Sequence, residues 1–262
     1  MTDFAVIAGA GALPGAVLSA RRGILVRFRG MPVDGTADEV LDARFERLGA
    51  LFSALKARGV RDLVFAWAMT RPLLDPTAFD AETLAVAPQV LRALEKGDDG
   101  LLRVIVALFE ARGFRVLGAH EVAPDLTVAE GSLTRLRPSD ADRRDAGRGQ
   151  QILEAMAPLD IGQGCVVAGG MCLAVETLPG TNAMLRFVAQ TRIAAGGVLI
   201  KRAKPRQDLR VDMPTIGPDT VAHAKDAGLN GVCIEAGRVI VLERARTSAA
   251  AEAAGIAIWG MA

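Results

Sequence analysis

Two aspartates, Asp208 and Asp212, share the stretch KRAKPRQDLRVDMPTIG, residues 201–217, with Lys201, Arg202, Lys204, Arg206 and Arg210. Carboxylates beside lysine and arginine suit metal-assisted hydrolysis of a phosphate ester or anhydride. The acids hold a hard cation or direct a water, and the basic groups meet phosphate charge. Bound magnesium or manganese polarises a phosphoryl oxygen and makes water a better nucleophile. If Gln207 to Asp212 is extended, Asp208, Arg210 and Asp212 point one way and Leu209 and Val211 the other. An ordinary salt-bridged surface strand fits the same pattern. Asp212 leads among the acids, because it stands last before Met213-Pro214, and Pro214 keeps Met213 out of the helical region. On an extended chain Asp208 stands about 13 Å away. One acid then serves the metal while the other holds a basic residue, and Lys204 and Arg210 are the candidates to neutralise phosphate.

Further polar corners sit at the edges of apolar runs: Asp160 with Gln163, Glu176, and Thr181-Asn182. Thr181 is expected to cap a helix over 182–190, which would make its amides an anion-binding corner. Near the N-terminus, the run FAVIA leads into Gly9-Ala-Gly11-Ala-Leu-Pro14-Gly15 and a small-residue helix. Strand, glycine turn and helix start make a phosphate cradle at Gly9 and Gly11, or a purely structural turn. It is not a standard dinucleotide fingerprint: Pro14 replaces the third glycine, and the next strand ends in Arg29 rather than in a ribose-binding acid. Asp98 and Asp99 precede an apolar helix and read as its cap or as a substrate or metal contact. A P-loop lysine motif and a GxSxG elbow are both absent from the sequence.

The elements that must carry these residues alternate. Strands are expected at 4–8, 24–28, 60–68 and 114–118, and helices at 45–57, 82–96 (with Pro88 interrupting or kinking it) and 101–112. That alternation predicts an α/β fold with a mostly parallel sheet, and ligands outside the C-terminal strand ends. After a charged helix capped by Ser139, a hairpin is expected at 165–175 around Gly169-Gly170. A strand follows at 198–200, then a helix capped by Asp219, a strand pair over 231–242, a helix over 245–254 and a last strand at 256–259. A break between domains 1–135 and 136–262 is the resulting division.

The 262 residues are 51% hydrophobic with a net charge of +1 and only 4% aromatic, so nucleic acid is not an expected partner. Cys165, Cys172 and Cys233 lie in apolar runs, which predicts core packing in a reducing compartment. The N-terminus has no basic start of a signal peptide, and there is no unbroken membrane-length apolar run. A cytoplasmic protein is expected, with peripheral membrane association left open.

Taken in order, the motifs carry a resemblance. They are IAGAGALP at 7–14, GDDGLL at 97–102, GAHE at 118–121, LDIGQG at 159–164, LAVETLPGTNAML at 173–185 and KPRQDLRVDMPTIG at 204–217. The chain resembles the bacterial UDP-2,3-diacylglucosamine pyrophosphatase (LpxI) family of lipid A biosynthesis over essentially its whole length. The resemblance implies two mixed α/β domains enclosing a substrate chamber, the first of them Rossmann-like. It also implies hydrolysis of UDP-2,3-diacylglucosamine to UMP and 2,3-diacylglucosamine 1-phosphate (lipid X) with Mg2+ or Mn2+, water attacking the sugar-side phosphorus. The family's essential acid falls on Asp212. Asp208 is expected in support, and Gly9, Gly11, Asp98, Asp99, Gln163, Thr181, Asn182, Lys204, Gln207 and Arg210 around the substrate. A membrane-lipid substrate implies transient contact with the inner-membrane surface, and a homodimer is among the expected assembly states. The chain departs from the family at Pro179-Gly-Thr-Asn182, where EGTD is usual. Either this corner binds substrate rather than metal, or activity is weakened.

Overall fold

The computed structural model describes residues 2–66, 74–94, 98–191, 195–205 and 207–262. The end of the strand expected at 60–68, Gly97, Arg206 and the side chains of Asp98 and Asp99 lie outside the described residues. Two compact units divide the chain, Met1–Pro124 with Asp208–Asp212, and Asp125–Gln207 with Met213–Ala262.

The first unit is built on five parallel strands, β1 (Phe4–Ala8), β2 (Ile24–Phe28), β3 (Glu39–Ala43), β4 (Asp62–Ala66) and β5 (Arg115–Leu117), in the order β3-β2-β1-β4-β5. Fully apolar runs such as FAVIA form central strands because both faces are covered. Ala5 and Ile7 join Ile24, Val26, Leu63 and Phe65 in one core cluster. Helix α1 (Leu13–Ala20) packs on β1 and β4. Helix α2 (Leu48–Ala57) contributes Leu51, Phe52 and Leu55 to that cluster, and Phe109 comes from α4 (Asp98–Glu110). Helix α3 (Ala81–Leu94) runs through Pro88 without interruption. A short α5 (Ala119–Val122) follows β5. Strand β3 escaped the sequence reading because it lies at the sheet edge, with Glu39, Val40 and Asp42 exposed and no apolar run to mark it.

The opposite, N-terminal edge of this sheet is held by charge. Buried Asp62 receives both Arg115 and Arg21, each at 2.8 Å, and Arg21 also reaches Asp3 at 2.8 Å. Arg115 and Arg21 together hold the Asp62 carboxyl below its usual range, against the opposing effect of burial. A depressed carboxylate contributes stability that is present above the unfolded value, about 3.9, and is lost as pH falls through the lower folded value. The melting midpoint of the wild type is therefore expected to fall more steeply than that of Asp62→Asn between about pH 4 and pH 2. Parallel acid profiles for the two proteins would remove this role from Asp62.

The second unit carries a six-stranded mixed sheet of β6 (Gly131–Ser132), β7 (Gly164–Ala168), β8 (Met171–Val175), β9 (Val198–Lys201), β11 (Gly231–Glu235) and β13 (Ala257–Met261). Their order is β6-β13-β11-β9-β7-β8, and a separate parallel pair joins β10 (Thr215–Ile216) to β12 (Ile240–Val241). Side-chain alternation sorts the sheet into two faces. Val166, Leu199, Val232 and Ile258 face α7 (Gly180–Thr191), α8 (Pro218–Asp226) and α9 (Arg244–Ala254) in one core. Cys165, Ile200, Cys233 and Trp259 pack with Ala146 and Leu153 of α6 (Asp140–Met156) in another. At Gly149 the α6 backbone lies so close to the sheet that a Cβ would come within 2.5 Å of Ile200.

Local signals were partly right here. Ser139 caps α6 in a reciprocal bond with Asp142. The β7–β8 hairpin turns at Gly169 and Gly170, with φ of 57° and 78°, and Asp145 accepts from both turn amides at 3.0 and 2.7 Å. Asp219 does not cap α8. Gly217 occupies the cap, its amide donating to Thr220 Oγ1 at 3.2 Å. Strand β12 does not turn back on β11 as expected, because Ile240 and Val241 pair with Thr215 and Ile216. Cys165 and Cys233 are buried, and burial pushes both thiols up to about 12. Cys172 is exposed, contrary to the core-packing expectation, because β8 is the outermost strand. The break expected after residue 135 falls beyond β6, whose Ser132 is already paired with Trp259 in the second unit's sheet.

Candidate active site

The segment Asp208–Asp212 is not an extended strand. The Asp208 carbonyl accepts from the Val211 amide at 3.1 Å and from the Asp212 amide at 3.0 Å, which closes a single helical turn. The reason lies in the side chains: Asp208 Oδ1 accepts the Arg210 amide at 3.1 Å, a local bond that competes with extension. The turn replaces the alternating row with an i, i+4 arrangement, in which Cβ atoms of helical residues stand about 5–6 Å apart. It thereby removes the separation that would have kept the two acids from serving one centre. Val211 packs against the first unit's core, beneath the polar side of the turn.

Within that turn the charges are already distributed. Arg210 grips Asp208 through two bonds, Nε to Oδ1 at 2.9 Å and Nη2 to Oδ2 at 2.7 Å, and gives Nη1 to Glu110 at 2.7 Å. This bidentate pairing holds the Asp208 carboxyl below its ordinary range and raises Arg210. Asp208 is thus a partner for arginine in this structure, and Arg210 meets two acids before any phosphate arrives. Asp212 closes the turn as its last residue. Among the described residues, no three His, Cys, Asp or Glu side chains gather as a metal cluster. A single aspartate still fits a magnesium site whose other oxygens come from substrate phosphates and water.

At the β1 terminus, Gly9 spends its amide on the Ala66 carbonyl at 3.0 Å and continues the sheet ladder. Gly11 has φ of +94°, where a side chain would be strained, and its amide donates to Asp34 Oδ2 at 3.2 Å. A carboxylate therefore occupies the place an incoming anion would take. Helix α4 starts at Asp98, so the backbone of Asp98 and Asp99 forms its first turn.

The second unit gathers three of the sequence candidates directly. Gln207 Nε2 donates to Gln163 Oε1 at 2.9 Å, and Gln207 Oε1 accepts the Lys204 amide at 2.9 Å. The Lys204 ammonium pairs with Asp160. Gln163 and Lys204 line one concavity of about 260 Å³ with Arg202, Glu235 and Arg238. Asp160 has φ of 54°, a left-handed conformation that an aspartate tolerates better than most residues.

Behind this cluster lies a group the sequence reading listed only in parts. Lys201 Nζ donates to Thr181 Oγ1 at 2.6 Å, and Thr181 Oγ1 donates to Glu176 Oε1 at 2.9 Å. Glu176 Oε2 faces the Lys201 ammonium at 3.3 Å, with the two side chains only 10% and 4% exposed. Thr181 therefore bridges a buried ion pair and does not cap α7, which begins one residue earlier at Gly180. Gly162 and Gly164 make room for this. A Cβ at Gly162 would come within 2.1 Å of the Glu176 carbonyl, and one at Gly164 within 2.5 Å of its carboxylate. The glycines around Gln163 were the available signal, since Gly-Gln-Gly beside a buried acid marks close approach of backbone. Asn182 is half-buried in the first turn of α7, and its side chain has no hydrogen-bond partner among the described residues. In the apolar helices α4 and α7, Val106, Phe109, Met184 and Leu185 are buried in the core, while Phe187 is exposed.

Comparison with known proteins follows this division. Residues 3–126 match the family model described as LpxI N-terminal domain, and residues 129–259 match LpxI C-terminal domain. The chain is 38% identical over 274 aligned residues to UDP-2,3-diacylglucosamine pyrophosphatase LpxI of Caulobacter vibrioides, covering 100% of this chain and 98% of that protein.

Proposed function

The chain belongs to the LpxI family, and from that premise we propose that it hydrolyses the pyrophosphate of UDP-2,3-diacylglucosamine to UMP and lipid X, with water attacking the sugar-side phosphorus. The observation that carries this reading is the extent of the match, which leaves only 2% of the relative uncovered, so both of its domains have counterparts here. Mg2+ or Mn2+, held by Asp212 with oxygens of the substrate's pyrophosphate, would supply polarisation of the phosphoryl oxygen.

The chain's own residues divide the remaining work. Asp212 ends a turn pinned by two backbone bonds and by Val211, so its carboxylate is presented from a fixed base. Such pre-organisation is what makes an acid useful for positioning water or charge. Asp208 and Glu110 hold Arg210, which keeps a guanidinium beside the turn that can exchange an acid for a phosphoryl oxygen. In the second unit, Lys204, Gln163 and Gln207 offer an ammonium and two amides to phosphate or sugar oxygens. Asn182, neutral and without a side-chain partner among the described residues, is assigned to hydrogen bonding with substrate rather than to metal. No described helix is long and apolar enough to cross a membrane. With a lipid substrate, the proposed setting is transient contact with the cytoplasmic face of the inner membrane.

The test is direct. Purified protein is incubated with UDP-2,3-diacylglucosamine, with and without magnesium or manganese, in water enriched in heavy oxygen. UMP and labelled lipid X are expected only with metal. Label in UMP would overturn the assignment of the attacked phosphorus, and no turnover in any metal would overturn the activity.

A further inference from the structure

A cavity of about 790 Å³ opens in the first unit where β2 and β3 end, within the range of about 300–1,000 Å³ typical of small-molecule sites. Its position follows from strand pairing. Phe28 and Ala43 are register partners at the ends of β2 and β3, so Arg29 and Arg44, the next residues of each strand, leave the sheet side by side. The Arg29 amide donates to the Ala43 carbonyl at 2.9 Å and fixes that adjacency. Arg47 stands one short helical turn further on, and Arg27 also lines the space.

The charges around this cavity do not cancel. Four arginines, Arg27, Arg29, Arg44 and Arg47, line it against one acid, Asp42. Asp42 is taken by Arg27 at 2.7 Å. That leaves Arg29, Arg44 and Arg47 with no acidic partner among the described residues, while the whole chain carries a net charge of only +1. Three uncompensated guanidiniums around one concavity are a local concentration of donors suited to phosphate. The wall between them is apolar and includes Phe28, whose ring stacks on Phe45 with centroids 4.0 Å apart.

The edge of the sheet narrows the ligand further. In doubly wound parallel sheets ligands lie beyond the C-terminal strand ends. The end of the second strand is where an acid meets a bare ribose, or an arginine meets a phosphorylated one. Here that position is Arg29. We infer that this cavity is a binding site for a phosphorylated nucleoside, its phosphate held by Arg29, Arg44 and Arg47 and its non-polar portion against the wall around Phe28. The inference rests on the first unit alone and does not require the hydrolysis proposed for Asp212. A bilayer surface suits it less, because the arginines converge on a concavity instead of spreading over a plane.

Equilibrium dialysis of the full chain against radiolabelled UMP and against labelled pyrophosphate, without metal, tests it. The Arg44→Gln/Arg47→Gln double variant is expected to weaken UMP binding tenfold or more, with its melting midpoint unchanged. Both substituted side chains are exposed, and Arg29→Gln serves as a second variant if the double one melts early. Loss of UMP binding with pyrophosphate unaffected fits recognition of the whole nucleotide. Equal loss of both fits recognition led by the phosphate. Affinity for UMP unchanged within twofold in these variants would overturn the site. Lipid turnover measured in parallel separates the two proposals, since loss of UMP binding in the arginine variants can stand even where no pyrophosphatase activity is found.

Discussion

Asp212→Asn is expected to lower kcat for UDP-2,3-diacylglucosamine hydrolysis by about two to three orders of magnitude or more, while the protein melts as the wild type does. Asparagine has nearly the size of aspartate and keeps an acceptor oxygen, but it carries no charge for a cation and no base for water. The turn itself is closed by backbone bonds to the Asp208 carbonyl, which the substitution leaves in place. Asp208→Asn is the informative comparison. It loosens the bidentate grip on Arg210, so some loss of activity should come with some loss of stability. Steady-state kinetics with a thermal melt separates the two. An Asp212→Asn protein of full activity would take the catalytic role from Asp212, and an inactive one that fails to fold would leave the question to Asp212→Glu, which keeps the charge and is expected to recover part of the rate.

The second large effect is on stability. Lys201→Met leaves the Glu176 carboxylate buried without its cation, and removing one partner of a buried pair costs about 3–5 kcal/mol. For a chain of this size that is a fall of roughly 10 °C in melting midpoint. Combining Lys201→Met with Glu176→Gln removes both charges, and the double variant is expected to regain much of the loss, since neutral replacements of buried pairs are often tolerated. Thr181→Val should cost less than Lys201→Met, because it removes the bridging hydroxyl but leaves the two charges 3.3 Å apart. Chemical denaturation of the three variants would decide. A Lys201→Met midpoint within experimental error of wild type would mean that Glu176 finds another partner or takes a proton.

Much of the architecture was legible because it depends on patterns a chain shows locally. FAVIA, the alternating strands and helices of the first half and the Gly-Gly hairpin each announce themselves within a few residues, and each appears where expected. What escaped is non-local or competes with a local rule. Strand β12 follows a turn after β11, as a hairpin would, yet it pairs with β10 because that neighbour arrives from a distant part of the chain. Strand β3 carries no apolar signature because it sits at an edge. The alternation around Asp208 and Asp212 suggested extension, but an aspartate that can accept its neighbour's amide favours a turn. At the candidate site, polar residue types at the edges of apolar runs marked Gln163 and Thr181, and basic residues beside acids marked Lys204. That Thr181 lies between Glu176 and Lys201 could not be read, because the three stand on separate elements.

The membership of Asp208–Asp212 in the first unit, with the second unit's sequence on either side, has a consequence for inheritance. The two units are not beads on a string. A gene cut after Pro124 would encode a first unit lacking Val211 from its core and Arg210 beside Glu110. The remaining gene would encode the acid assigned to catalysis without the core on which it stands. Neither piece can be lent to another protein, or replaced from one, by a single recombination event, so the pair must be gained and lost as a whole.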